Sequence, residues 1–336
     1  MLGVRRAIAA RAHEALGRWR SDRLSATGFG FAARTAPGLI TAAIADLAGA
    51  HRGLGLLETE LLSSDVADAF LALEARSGAF WVDRLVALGE TGRAAISWTD
   101  FLYGLKPLAA IDGDPASLWS WVPVLIRRFA DRIAGQPIHA GDLLTFPAPE
   151  SYLTEPPAAA GAQRILDAVI DLIGEEGMEG VSHRKVADRA GLSMASCQFF
   201  FGTKSDMIRA AVLELERRMH RSLHERLNAR TDDEPLLISS AVPNRDFAAL
   251  NSLHAPVARN PALQPVARVL RDFRGAHAWD RLKRRFPSAD RIDAILWSTT
   301  YIGSLHPHRL AQPGTDGALR DRLALHLDNL FLHGAG

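Results

Sequence analysis

The chain has 336 residues, 48% of them hydrophobic, with Lys+Arg 39 against Asp+Glu 38 and a net charge of +1. Such a length predicts two or three domains, and so much apolar side chain excludes disorder throughout. Near-neutrality excludes a polycation, so any nucleic-acid surface must be local. The lone cysteine, Cys197, excludes a disulfide framework or a cysteine-rich zinc site and fits a reducing cytoplasm.

Taken in chain order, the opening MLGVRRAIAARAHEALGRWR is broken by Arg and His every few residues, unlike a signal peptide. No later apolar run approaches the roughly 18 residues of a membrane span, so a soluble cytoplasmic protein without a membrane partner is expected. Apolar residues recur at three and four positions and β-branched runs are scarce, which predicts an all-α fold. Residues 1–134 read as one helical unit. Residues 135–160 carry Pro137, Pro147, Pro149, Pro156 and Pro157. Proline removes a donor and disfavours helix in the residue before it, so this stretch is predicted to be a linker. Residues 161–207 and 208–336 then form two further helical segments.

The chain also resembles itself. Asp83-Arg84-Leu85 answers Asp280-Arg281-Leu282, Ala95-Ile96-Ser97-Trp98 answers Ala294-Ile295-Leu296-Trp297, and Gly104 answers Gly303. Ala130-Asp131-Arg132-Ile133 stands near Leu327-Asp328-Asn329-Leu330, and Leu39-Ile40-Thr41-Ala42-Ala43 resembles Leu237-Ile238-Ser239-Ser240-Ala241. A co-linear series of this kind predicts an internal duplication of a helical effector-type unit. The opening 24 residues are similar to the segment from Ser205 to Leu227. The chain is therefore expected to start where a first copy of residues 162–208 would have ended, that copy being lost or the start codon placed late.

Residues 162–208 occur in the second half only and are predicted to hold three helices. The first runs from about Ala162 to Gly174 on a stripe of Ile165, Val169, Leu172 and Ile173, with Gly174 and Gly177 ending it. The second follows Ser182, whose hydroxyl can accept from free first-turn amides, and Gly191 supplies a positive-φ turn. Ser193 caps a short third helix that Gly202 terminates. Two short helices across a tight glycine turn are a helix-turn-helix, whose second helix enters the major groove. From 182 to 204, Arg184, Lys185, Arg189 and Lys204 face Asp188 alone, while Asp167, Asp171, Glu175 and Glu176 lie on the first helix. That polarity predicts one face turned toward phosphate and the first helix turned away.

Val186-Ala187, Ala190-Gly191-Leu192-Ser193, Phe201 and Lys204 resemble the DNA-binding domain of the TetR family of transcriptional regulators. The resemblance implies a dimeric all-helical repressor whose C-terminal domain binds a small molecule and pairs through a four-helix bundle. It places Arg184 where a guanidinium reaches a base edge, and Ser193, Met194, Ala195 and Ser196 at the start of the recognition helix. His183, Gln198, Phe199, Phe200 and Lys204 match positions that contact or flank the backbone, and Ser182 and Lys185 complete the predicted DNA face. Phe199 and Phe200 depart from the tyrosine and histidine usual there, which removes phosphate hydrogen bonds.

These readings predict a TetR-like helix-turn-helix lying, in chain order, between two helical-bundle units. Its expected partners are double-stranded operator DNA and a small-molecule effector, with pairing as a homodimer or an intrachain pseudo-dimer. A ligand-responsive repressor is expected; the competing reading is a sensor or interaction protein that keeps a helix-turn-helix without binding DNA. Trp98, Trp279, Trp297 and Tyr301 are candidate lining for an effector pocket. No cofactor or metal is expected: His220 and His224 are four apart but lack a third ligand, and His306-Pro307-His308 reads as a helix end. No nucleophile with its base stands out, so an enzyme is not expected.

Overall fold

The computed structural model describes residues 2–24, 34–62, 67–112, 114–136, 159–228, 250, 253–309 and 316–332. Most of the predicted proline-rich linker and the 237–241 match lie outside the described residues. In chain order the first helices are α1 (Leu2–Leu24), α2 (Ala36–Ala48), α3 (Arg52–Leu62), α4 (Ala67–Ala87), α5 (Gly92–Ile111) and α6 (Pro115–Ile133). Next come α7 (Ala160–Glu176), α8 (His183–Ala190), α9 (Met194–Phe200), α10 (Lys204–Asn228), α11 (His254–Arg259) and α12 (Gln264–Asp272). The last are α13 (Ala276–Arg285), α14 (Arg291–Arg309) and α15 (Asp316–Leu327), which runs into a π turn at Asp328–Leu332. The fold is all-α, with no strand among the described residues, and no described helix is long and apolar enough to cross a membrane.

The chain forms two compact units, Met1–Thr145 with Ala278–Gly336, and Phe146–His277. In the first, side chains that satisfy free amides set the helix starts. Thr35 accepts from Gly38 N, Thr91 from Ala94 N and Asp114 from Ala116 N, and proline occupies the first turn of α2 and α6. The core gathers Leu39, Ile40, Ile44, Trp81, Leu85, Trp98, Phe101, Val122, Leu125 and Phe129. Its most extensive helix pairing is α5 on α14, flanked by α6, α15 and the π turn as a four-helix bundle. The axes approach at glycine: a Cβ on Gly104 would overlap the Thr299 carbonyl, and one on Gly303 the Asp100 carbonyl. Only glycine permits backbones so close. α14 runs on to Arg309, through the His306-Pro307-His308 stretch expected to end it.

In the second unit, α7 buries Ile165, Leu166, Val169, Leu172 and Ile173 and packs on α8 and α10. It runs past Gly174, which the sequence suggested as its end, and stops at Gly177 with φ +72. Gly174 is exposed and keeps helical backbone in a last turn whose Glu175 and Glu176 pair with Arg189 and Lys185 of α8. α10 also packs on α12, and Ser205 Oγ donates to the Ala262 carbonyl at 2.6 Å.

Candidate nucleic-acid interface

The helix-turn-helix is built from short-range chemistry. Ser182 sits in extended backbone at the start of α8 and accepts from Lys185 N at 3.3 Å. α8 ends at Gly191, left-handed at φ 62 and ψ 41, a conformation glycine adopts without the steric cost of a Cβ. Two residues later Ser193 opens α9, accepting from Ser196 N at 3.0 Å, with the Ser196 hydroxyl 2.8 Å away. Val186, Ala187, Cys197, Met207 and Ile208 are buried beneath the turn. Arg164, on α7, fixes it from outside. Its Nε and Nη2 donate to the Ala190 carbonyl at 3.0 and 2.5 Å, and Nη2 to the Gly191 carbonyl at 2.8 Å. Nothing in the sequence singled out Arg164, because its partners are backbone carbonyls 26 and 27 residues on.

α9 has a solvent face. Met194 is 51% exposed and Phe199 84%, with Ala195 and Gln198 also exposed. Phe200 meets Phe199 edge-on at 5.4 Å and lies against Gly161 of α7. Arg184 is exposed on α8, with no hydrogen bond or ion pair among the described residues. The other predicted contacts already have work within the domain. Lys185 Nζ pairs with Glu176 at 2.6 Å and Arg189 with Glu175 at 2.8 Å, both exposed. Lys204 Nζ donates to the Met178 carbonyl at 3.0 Å, and His183 Nε2 lies 3.0 Å from the Phe201 carbonyl at the end of α9. The expected separation of charge therefore fails at one place: the end of α7 brings Glu175 and Glu176 against the cations of α8. Periodicity placed those acids on α7 but carried no information on its reach toward α8.

Cys197 is buried, its Sγ 3.9 Å from Met207 Sδ, and burial pushes its thiol pKa up. That suits a packing role, since the thiolate is the reactive form. Among the aromatic candidates, Trp98 is buried against Phe129 and Phe101, with ring centroids 4.5 and 6.1 Å away. Trp297 and Tyr301 are buried on α14, and Trp279 lies half-buried under Lys283 Nζ at 5.2 Å. No group of three or more His, Cys, Asp or Glu among the described residues is placed to hold a metal ion.

The first unit holds a polar cluster that sequence reasoning missed. His326 Nδ1 lies 2.8 Å from Ser97 Oγ, and its Nε2 donates to Asp100 Oδ2 at 2.8 Å. Ser–His–Asp is the order of a nucleophilic triad. Here all three are fully buried, and Ser97 Oγ also accepts from Asn329 Nδ2 at 2.8 Å. Asp100 further accepts from Arg322 Nε and Nη2 at 2.5 and 2.7 Å and from Ser304 at 3.0 Å. The geometry is that of a lock across the bundle seam. Its one sequence signal was polar residues on otherwise apolar helix faces: Asp100 within α5, and His326 among Leu319, Leu323, Leu327 and Leu330.

No curated protein matches the chain. Residues 165–211, which take in most of α7, all of α8 and α9 and the start of α10, match the family model of the bacterial regulatory proteins, tetR family.

Proposed function

We propose that the chain is a ligand-responsive transcriptional repressor of the TetR type that releases operator DNA when a small molecule binds. The observation that carries this is the exposed, unengaged Arg184 on a helix-turn-helix whose next helix presents Met194, Ala195, Gln198 and Phe199 to solvent. Arg184 reads a base edge, guanine O6/N7 being the acceptor pair that fits a guanidinium. Met194 and Ala195 approach thymine methyls, and Gln198 and Phe199 border the backbone. Ser182, Ser193 and Ser196 hold the helix starts that aim these side chains. Lys185, with Arg189, contributes charge once phosphate displaces the glutamates; both pairs are exposed and weak. His183, Phe200 and Lys204 hold the ends of the recognition element beside the phosphates. Trp98, Trp279, Trp297 and Tyr301 belong to the effector side, where ligand shifts the population of a packing that disfavours DNA.

The test is retardation of the duplex upstream of the gene, comparing wild type with Arg184→Ala. Loss of the guanidinium should weaken binding by about 1–3 kcal/mol and relax discrimination at one base pair. Equal retardation of both proteins by every sequence would refute the assignment of Arg184. Absence of retardation at low salt would favour the sensor reading.

A further inference from the structure

The seam of the bundle has a two-fold logic within one chain. The offset of 199 that relates Trp98 to Trp297 also takes Gly104 to Gly303 and Asp100 to Thr299. The backbone contacts are reciprocal in the same terms: Gly104 closes on Thr299, and Gly303 on Asp100. Residue i meeting j while j's counterpart meets i's is the signature of an isologous interface. The flanking helices brace the seam at both ends, through residues that are not counterparts, Arg132 and Asp293 matching Asn329 and Ala94. Arg132 of α6 reaches Asp293 near the start of α14 at 2.5 Å, and Asp328 after α15 takes Arg93 near the start of α5 at 2.9 Å.

The shape is symmetric but the chemistry is not. Asp100 is fully buried and held by Ser304, Arg322 and His326. At the same offset Ser304 matches Leu105 and Asp100 matches Thr299, and at the offset of 197 that aligns Ala130 with Leu327, Arg322 and His326 match Leu125 and Phe129. Pairing two first halves would set Asp100 against apolar side chains. Pairing two second halves would set Arg322 and His326 against a threonine. Arg128, 1% exposed, and Arg132 likewise take Asp293, whose counterpart is Ala94. Stranding a buried charge is strongly unfavourable, so each like-with-like pairing is selected against.

We infer that the seam is a charge-coded interface between unlike repeats that closes within one polypeptide, so that this 336-residue chain meets DNA as a monomer and reads a single half-site rather than a two-fold palindrome. The half-site part rests on the DNA-binding reading above; the pairing part does not. Residues 162–208 have no second copy in the sequence, and the seam that would join two chains is occupied inside one.

Two measurements on the full chain test this separately. Sedimentation equilibrium without DNA should give one chain, 36.5 kDa; a two-chain mass would overturn the pairing. Selection from random-sequence duplexes should enrich one unrepeated element bound by one chain. Enrichment of that element twice, inverted, with centres about 10 bp or a multiple apart, would overturn the half-site reading. A one-chain mass with no enriched sequence would overturn the half-site and DNA-binding readings together. The charge code has its own variant, Asp100→Thr, which should melt at least about 5 °C below wild type. Adding Arg322→Leu should recover part of that loss, because the stranded guanidinium is gone. Asp100→Thr melting with wild type, or a double variant with purely additive loss, would overturn the code.

Discussion

Asp100 shows what a single side chain decides here. Burial by itself raises its carboxyl pKa, but hydrogen bonds from Arg322 and His326, with their charge, outweigh burial and hold it at about 2. Its folded pKa therefore lies below the ordinary 3.8. The sign follows: the stabilisation is complete above the unfolded value and is lost as pH falls through the folded one. Between about pH 4 and pH 2 the first unit should lose roughly 2 kcal/mol from this group. Urea melts across that range check it: Asp100→Asn should show a flatter profile there, and an equally steep one would refute the assignment. At the proposed DNA face the corresponding residue is Glu176, paired with Lys185. Replacing it by Gln frees Lys185 and should strengthen binding to any duplex by a few tenths to about 1 kcal/mol, measured by fluorescence anisotropy at low salt. Ser182 and Ser193 were legible in the sequence because a cap depends on neighbours a few residues away. Asp100 and Arg322 were not, since their partnership spans 222 residues.

Helices depend on where they touch. α5 and α14 meet backbone to backbone at Gly104 and Gly303, so a methyl group at either site must push the axes apart. Gly104→Ala and Gly303→Ala should each destabilise the protein by about 3 kcal/mol, the upper range for overpacking. Gly78→Ala in α4 is the control: a Cβ there meets nothing within 4 Å. It should be neutral or stabilising by up to about 1 kcal/mol. Thermal melts of the three variants decide the matter, and equal behaviour would refute the close crossing. In the helix-turn-helix, Gly191 was expected at a positive-φ turn and stands at φ 62. Gly177 ends α7 as expected, but Gly174 stays helical because it lowers helix propensity by only about 1 kcal/mol, which the buried stripe before it offsets. A propensity argument sees the glycine and not the core that holds it.

Across the whole molecule the charges nearly cancel, so the proposed DNA affinity must come from one face rather than from a general field. With Lys185, Arg189 and Lys204 as the phosphate-facing cations of one head, log affinity should fall with log salt at a slope of about −3. Two heads would double it, so a salt titration reads the number engaged. The sequence by itself determined the helical character, the three-helix helix-turn-helix element and the N-caps of α8 and α9, because each follows from periodicities and turn chemistry confined to a few dozen residues. Only the tertiary structure decided that Arg164 clamps the turn, that glutamates restrain Lys185 and Arg189, and that Asp100 meets Arg322 and His326 across a glycine crossing. Those outcomes depend on which helix faces meet, and that is set by packing between segments far apart in the chain, where no local pattern carries the information.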